Sequence, residues 1–292
     1  RLSASRLDTF AQCRFAYLMQ YGLHLQPPGE PDFDAPAFGT FVHAVLERTA
    51  QAAAARGGFA ALSDDEVTRL ATGFIEDYRR ENERNLTGRD ARFAHLFHRH
   101  SREALAVVRE LAAELRQSDF APCAFELRFA RDGQMPPVAV QGETVSGELV
   151  GAVDRVDHWQ NGEVDYVRVV DYKTGKTVER APDQLYMYQK VAEMSPAIKE
   201  LVQQKDPGVQ QVKVEKLCFY HLPTLKEMYF ERADDQQIME FWHGVLAVAD
   251  EIRAGKFSPT PGENQCRWCD YRNICPVFTG KEYTGPSGYG AR

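Results

Sequence analysis

The feature that most constrains the fold is a pair of apolar segments joined by the dipeptide Asn161-Gly162. The first segment reads GELVGAVDRVDHW and the second reads DYVRVVDYK, and both have the apolar patterning that is typical of β-strands. Asn-Gly between two such segments is a strong signal for a tight β-hairpin. We therefore expect the two strands to be neighbours, which would bring the carboxylates of Asp154 and Asp171 together.

The end of the second segment carries an acid and a base two residues apart, Asp171 and Lys173. Side chains alternate along a strand, so these two point to the same face. Two carboxylates that lie close together repel unless a cation lies between them, and such oxygen ligands suit Mg²⁺ or Mn²⁺. An ammonium group on the same face could orient a metal-bound water or stabilise developing charge. The pattern predicts attack of a metal-activated water on a phosphodiester.

A structural interpretation of Asp171 and Lys173 stays open, because ion pairs are common on surface strands. The apolar neighbours Val169 and Val170, followed by Gly175, disfavour it. The other acidic side chains of the hairpin are expected to face solvent, and these are Glu148, Asp157 and Asp165.

Further candidates lie on predicted helices. His43 belongs to AFGTFVHAVLERTAQAAAA, where a histidine is ordinarily a packed core residue, but beside two carboxylates it would complete a metal site. Gly39, one turn earlier, would let a backbone or a phosphate approach closely.

Gln184 and Tyr188 lie four apart in DQLYMYQK and share one helix face. They are either a solvated amide beside a packed ring, or groups near the metal and the nucleic-acid backbone.

Six cysteines are present, and three of them crowd into CRWCDYRNIC as Cys266, Cys269 and Cys275. Clustered cysteines in an intracellular protein more often hold metal than form disulfides. A metal ion or an iron–sulfur cluster ordinarily takes four ligands, and Cys13 is the best candidate for the fourth. Spacing alone leaves zinc open. The remaining two lie in apolar strand patterns and are expected in the core: Cys123 and Cys218.

The hydrophobic period changes from helical to alternating near residue 123. The expected helices are an N-terminal one capped by Ser3 or Ser5, the alanine-rich one, and those over 64–84, 91–117, 182–203 and 234–254. The expected strands are CAFELRFA, the two hairpin segments, VKVEKLCFYHL and KEMYFE. This order predicts an α/β or α+β core with a helical N-terminal elaboration.

The composition suits a globular chain, since 43% of the 292 residues are hydrophobic and 26% are charged. A net charge of −7 argues against a protein that coats nucleic acid, but it is compatible with a local basic groove.

Residues 78–103 carry seven arginines and three histidines. This stretch forms either a solvated helix face or a path for phosphates. No apolar run predicts a membrane span. Because Arg1 begins the chain without a signal-peptide pattern, we expect a piece of a longer cytoplasmic protein.

Taken together, five motifs resemble the RecB/AddB-type nucleases of the PD-(D/E)xK superfamily, in the branch that carries an iron–sulfur cluster. They are GTFVH, GAVDRVD, VVDYKTG, QLYMY, and CRWCDYRNIC with the upstream FAQCRFAY. The motifs occur in the order in which the family has them, from residue 10 to residue 276. As a set they are highly specific for this family. Val stands where the superfamily name has Pro, which is common in this branch.

The resemblance implies an α/β fold with a restriction-endonuclease-like core, a mixed central sheet flanked by helices, and an iron–sulfur-stapled C-terminus. The catalytic residues it implies are Asp154, Asp171, Lys173, Gln184 and Tyr188. The implied ligands of Mg²⁺ or Mn²⁺ are His43, Asp154, Asp171 and the backbone carbonyl of Tyr172. The implied ligands of a [4Fe–4S] cluster, with zinc as the alternative occupant, are Cys13, Cys266, Cys269 and Cys275.

We therefore expect a single nuclease domain over 1–277, with a mostly helical part (1–118), a nuclease core (119–260), a cysteine segment (261–277) that closes on Cys13, and a flexible tail (278–292). The expected activity is metal-dependent DNA cleavage, as an exonuclease on single strands or ends, in repair, recombination or end processing. No P-loop motif occurs, so unwinding would need a helicase subunit or a missing part of the chain. The alternative is a catalytically silent nuclease-like module that binds DNA or a partner.

Overall fold

The computed structural model describes residues 1–25, 35–82, 91–162, 164–175, 183–194, 196–205 and 207–280, so most of the expected tail, from 281 onward, lies outside the described residues. The chain divides into two compact units. The first comprises Arg1–Glu30, Arg128–Gly151 and Ala233–Arg292, and the second comprises Pro31–Leu127 and Ala152–Arg232. None of the described helices is long and apolar enough to cross a membrane.

The described part of the chain contains both helices and strands. The α-helices are α1 (Ala4–Gln12), α2 (Arg14–Tyr17), α3 (Ala35–Ala54), α4 (Asp64–Glu81), α5 (Ala91–Gln117), α6 (Asp183–Met194), α7 (Pro196–Lys205), α8 (Asp235–Arg253), α9 (Glu263–Arg267) and α10 (Pro276–Thr279). The strands are β1 (Ala121–Phe129), β2 (Val138–Gln141), β3 (Ser146–Leu149), β4 (Gly151–Asn161), β5 (Val164–Lys173), β6 (Gln211–His221) and β7 (Lys226–Glu231).

Side-chain caps define where several helices begin. Ser3 caps α1 by accepting a hydrogen bond from the backbone of Arg6, which confirms one of the two predicted caps. Helix α4 begins with a capping box, in which Ser63 and Glu66 each bond the other's backbone N–H. These local bonds satisfy amide groups that have no partner within the helix.

The single helix predicted over 182–203 is wrong, because the structure has two helices, α6 and α7. Pro196 is the first residue of α7. Proline has no N–H to donate within a helix and restricts the residue before it, so it ends the first helix and suits the start of the next.

The central sheet has five strands in the order β1-β4-β5-β6-β7. The β4–β5 hairpin is antiparallel, with Asn161 opposite Val164 and Gly162 at a φ of 68°, so the Asn-Gly prediction is confirmed. Strands β5 and β6 are parallel, and β6 and β7 are antiparallel. The predicted mixed sheet is therefore confirmed.

The segment GELVGAVDRVDHW forms two strands, β3 and β4, where the sequence predicts one. At the break, the ring of Phe129 packs so closely on Gly151 that a Cβ there would lie 2.6 Å from it. Only glycine fits under that ring, and the chain leaves one sheet and enters another at this point. Strand β3 pairs instead with β2, a strand that the sequence does not predict.

Helices cover the sheet of the second unit. Phe41, Val45 and Leu46 of α3 pack in one buried cluster with Val107 of α5 and Tyr172 of β5, and α4 joins the same cluster. Helix α6 contacts β5 and β6. In the first unit, a separate small core joins Phe10 and Tyr17 to Phe257, with Val248 and Ile252 of α8 beside it.

The expectation that Asp157 and Asp165 face solvent is wrong, since both are fully buried. Asp157 lies between two buried arginines, 3.0 Å from Arg155 Nε and 2.6 Å from Arg168 Nη2. Asp165 Oδ2 lies 2.9 Å from His158 Nδ1. Buried carboxylates require such partners, and strand periodicity does not reveal partners on neighbouring strands.

Candidate functional site

The two aspartates of the hairpin lie side by side at one end of the sheet. Arg155 pairs with Val170, and Asp154 and Asp171 are the next residues along the two strands. They are nearly buried, with 8% and 3% of their surface exposed. Asp154 Oδ2 accepts a hydrogen bond from the backbone N–H of Tyr172 at 2.7 Å. The structure thus brings together the two carboxylates on which the sequence argument depends.

Asp171 belongs to a hydrogen-bonded group that joins β5 to α6. Lys173 Nζ lies 3.0 Å from Asp171 Oδ2 and also donates to Gln184 Oε1. The Gln184 amide donates to Asp171 Oδ1 and to the Tyr188 hydroxyl, both at 2.8 Å. Tyr188 is only 4% exposed, so it lies within the protein and does not present a face to a nucleic-acid backbone.

His43 approaches the carboxylates from α3. Its Nδ1 lies 3.7 Å from Asp154 Oδ1 and 3.0 Å from Oε1 of Glu126 on β1. Its ring meets the Tyr172 ring edge-on, with 5.4 Å between centroids. Ligand atoms of His43, Glu126 and Asp154 all lie within 4.8 Å of one another, the one such set of His, Cys, Asp or Glu found among the described residues.

Glu126 is the site residue that the sequence argument misses. It reads there as one position of the strand CAFELRFA, and its only signal is a charge within an apolar pattern. In the structure its φ is 45°, a left-handed conformation that is uncommon for a residue other than glycine. The extended backbone is interrupted there, so strand alternation does not predict the direction of this side chain.

Burial and mutual repulsion shift the pKa values of these groups. Burial, and then the charge of Asp171, raises the pKa of Asp154 to about 8. Burial also raises the pKa of Asp171, although Lys173 opposes this shift. Burial alone would lower the pKa of His43, but the charges of Asp154 and Glu126 raise it to about 9. Carboxylates crowded into one site favour protonation unless a cation compensates their charge.

The residues present fit a divalent cation. Asp171 Oδ2 is a buried carboxylate oxygen whose partner in the described part of the chain is the Lys173 ammonium at 3.0 Å. Carboxylates with one imidazole are ligands that Mn²⁺ and Mg²⁺ accept. A cavity of about 450 Å³, lined by Thr40, His43, Glu47 and Glu126 among others, opens beside them and leaves room for hydration waters.

The four cysteines of the predicted cluster lie together in the first unit. Cys13, Cys266, Cys269 and Cys275 line one cavity of about 580 Å³, and none forms a disulfide. Burial, with smaller contributions from the other three thiols, raises the pKa of Cys269. The two remaining cysteines differ in exposure, with Cys218 buried as expected and Cys123 partly exposed.

The arginine-rich stretch is described except for residues 83–90. In the described part, Arg79 pairs with Glu76 at 2.9 Å and Arg99 with Glu103 at 3.0 Å, each about one helical turn apart and exposed. Exposed pairs of this kind add little to stability.

Comparison with known proteins gives a family match over nearly the whole chain. The model of the PD-(D/E)XK nuclease superfamily matches residues 1–276. An ATP-dependent helicase/deoxyribonuclease subunit of Clostridioides difficile (strain 630) is 29% identical over 260 residues, which cover 86% of this chain and 21% of that protein. The subunit of the same name in Desulfitobacterium hafniense (strain DSM 10664 / DCB-2) is 33% identical over 174 residues, 59% of this chain and 14% of that protein.

The chain spans about a fifth or less of the length of these curated relatives. Among solved structures, that of SSO0001 covers 70% of this chain and 96% of its own, with a TM-score of 0.33 at 13% identity, a likeness too distant to assign function. The family match includes His43, the hairpin and the cysteine segment. The chain belongs to the PD-(D/E)XK nuclease superfamily.

Proposed function

We propose that this chain is the nuclease domain of a metal-dependent deoxyribonuclease that acts on DNA ends or single strands. The observation that carries the proposal is the meeting of His43, Asp154 and Asp171, with Lys173 paired to Asp171, at one end of a buried hairpin. The relatives are subunits of helicase/deoxyribonucleases, and the chain matches only a part of them. A helicase partner, or further chain, would supply unwinding.

The cation would be held by His43, Asp154 and Asp171, with the backbone carbonyl of Tyr172. When bound, Mg²⁺ or Mn²⁺ lowers the pKa of a coordinated water and polarises the scissile phosphate. The protein holds the carboxylates almost out of solvent, where charges interact more strongly than they do in water.

Lys173 would stabilise the negative charge that develops on the phosphate oxygens as water attacks phosphorus and the phosphodiester bond breaks. Its ammonium is held between Asp171 and Gln184, and Gln184 is held in turn by Tyr188. We therefore assign Lys173 to the chemistry, and Gln184 and Tyr188 to the positioning of Lys173 and Asp171.

Digestion of end-labelled DNA tests the proposal. Single- and double-stranded DNA, each labelled at one end, would be incubated with the chain in Mg²⁺, in Mn²⁺ or in EDTA. We expect cleavage with either metal and none with EDTA, and early release of the label in short products would indicate exonuclease action. DNA binding without cleavage in any divalent metal would instead identify a silent nuclease-like module.

We further propose that Cys13, Cys266, Cys269 and Cys275 hold a [4Fe–4S] cluster. The four cysteines line one cavity of about 580 Å³, and none of them forms a disulfide. Four thiolates around one cavity suit an iron–sulfur cluster or a zinc ion, and the family resemblance favours the cluster.

The cluster proposal predicts a brown protein, when it is purified without oxygen, with iron and acid-labile sulfide in equal amounts. Cys266→Ser is expected to lose most of the iron, because one of four ligands is removed. Cys123→Ser is the matched control, since Cys123 lies outside the group and bonds the backbone of Val156. Stoichiometric zinc in a colourless protein would contradict the proposal.

A further inference from the structure

We propose that His221 is a positioning residue for DNA cleavage, which acts by anchoring the end of β5 where Lys173 lies. This inference rests on the proposed nuclease function. His221 is the last residue of β6 and lies outside the five motifs that carry the family resemblance. Its side chain is buried, with 7% of the residue's surface exposed, and it belongs to the same compact unit as the β4–β5 hairpin.

Both ring nitrogens of His221 have a partner. Nε2 lies 2.8 Å from the backbone oxygen of Gly175, and Nδ1 lies 2.7 Å from the Thr224 hydroxyl. A carbonyl oxygen can only accept a hydrogen bond, so Nε2 carries a proton and donates it. The Thr224 hydroxyl can donate to Nδ1, and this contact fixes the tautomer and the orientation of the ring. The ring is therefore oriented as a donor to the backbone at Gly175.

The bond to Gly175 continues the sheet beyond its last backbone pair. Strands β5 and β6 are parallel, and in the described part of the chain their pairing ends with Lys173 opposite His221. Thr174 and Gly175 follow β5 and take no part in this pairing. The His221 side chain therefore links the two strands where the backbone ladder has ended. The chain is anchored to β6 at Lys173 and again two residues beyond it.

A fixed backbone matters because the Lys173 ammonium must lie at one place. It lies 3.0 Å from Asp171 Oδ2 and 4.7 Å from the centre of the Phe219 ring, and it donates to Gln184. The lysine stem has many rotamers, so these contacts and the position of its Cα together decide where the ammonium lies. A reacting group that is misplaced by about 1 Å can cost about 10²-fold in rate. We therefore expect His221 to affect the reaction through Lys173.

Two polar substitutions test the hydrogen bond itself. Glutamine carries an amide nitrogen near the position of Nε2, and asparagine carries one near the position of Nδ1. His221→Gln can therefore still donate to Gly175, whereas His221→Asn can reach only Thr224. We expect single-turnover cleavage, at saturating enzyme and Mn²⁺, to fall about 10- to 100-fold in His221→Asn and to stay within about threefold of the native rate in His221→Gln. DNA affinity, measured in Ca²⁺, and Mn²⁺ affinity should be native in both variants.

The matched control is His158→Asn. His158 is a partly buried histidine of the same sheet, nearer to the hairpin turn, and its Nδ1 lies 2.9 Å from Asp165 Oδ2. This substitution disturbs the sheet but leaves the end of β5 intact, so its cleavage rate should be native. Thermal unfolding, followed by circular dichroism, establishes that each variant is folded. An equal loss of rate in His158→Asn and His221→Asn would contradict the proposal, since general loosening of the sheet would explain both.

Combination with Lys173→Ala identifies the side chain through which His221 acts. A group that acts through a missing side chain has no further effect, so His221→Asn should lower the rate of the Lys173→Ala variant by less than about twofold. A full additional loss in the double variant would show that His221 does not act through Lys173, and the proposal would be wrong.

These measurements distinguish failure of this inference from failure of the proposed function. If the native chain cleaves DNA and His221→Asn cleaves it at the same rate, His221 is not a positioning residue and the nuclease assignment is unaffected. Equal losses in His221→Gln and His221→Asn would likewise contradict a role of the bond to Gly175. If the native chain cleaves no DNA in Mg²⁺ or Mn²⁺, the proposed function is refuted, and this inference with it.

Discussion

Replacing Lys173 by alanine is expected to lower the rate of DNA cleavage by about 10²- to 10³-fold, which is the effect of removing one group that stabilises the transition state. DNA affinity should change little, because the ammonium is held within the protein by Asp171 and Gln184. Single-turnover cleavage of labelled DNA at saturating enzyme, with binding measured in Ca²⁺, separates the two quantities.

The matched control for this prediction is Lys213→Ala. Lys213 lies on β6 of the same sheet, with its ammonium 5.8 Å from the centre of the Tyr166 ring, and it takes no part in the site. Its removal should leave cleavage unchanged. Native activity in purified Lys173→Ala would refute the assignment, and so would an equal loss in both variants.

Asp157→Ala is expected to destabilise the chain by about 3–5 kcal/mol, the usual cost of removing one partner from a buried ion pair. Asp157 is fully buried between Arg155 and Arg168, and both arginines also pair with Glu114 of α5. Without Asp157, the buried guanidinium of Arg155 keeps Glu114 as its acidic partner, and Arg168 keeps Glu114 and a longer contact of 3.9 Å with Glu227. Thermal and urea unfolding, followed by circular dichroism, would measure the loss.

The control for Asp157 is Glu148→Ala. Glu148 forms a bidentate contact with Arg131, a side chain that is largely exposed. Solvent screens such a pair, so its loss should cost about 0–1 kcal/mol. The prediction for Asp157 fails if its replacement costs no more than that of Glu148. Cleavage by the folded fraction should survive in both variants, because neither residue contacts the site.

The hairpin was predictable because its signals are local. Asn161-Gly162 specifies the turn, and the period of two specifies which side chains share a face, so Asp171 and Lys173 were correctly placed together. The contact of Gln184 with Asp171 joins α6 to β5, and periodicity does not predict it. The family resemblance implied only that Gln184 is a site residue.

Other features depended on contacts between distant parts of the chain. The break before β4 follows from Phe129 lying on Gly151, and the burial of Asp157 follows from arginines on two strands. Neither contact can be predicted from the hydrophobic pattern of the sequence. The pattern reports only how apolar each residue is, and it does not report which residue lies opposite.

By itself the sequence determined the β4–β5 hairpin, the change from helices to strands near residue 123, and the motifs that place the chain in its family. These depend on backbone preferences and on periodicity over a few residues. Only the tertiary structure decided that Glu126 joins His43 and Asp154, because this depends on a left-handed residue in β1 and on the packing of α3. A side chain's direction follows from strand alternation only while the backbone stays extended, and at Glu126 it does not.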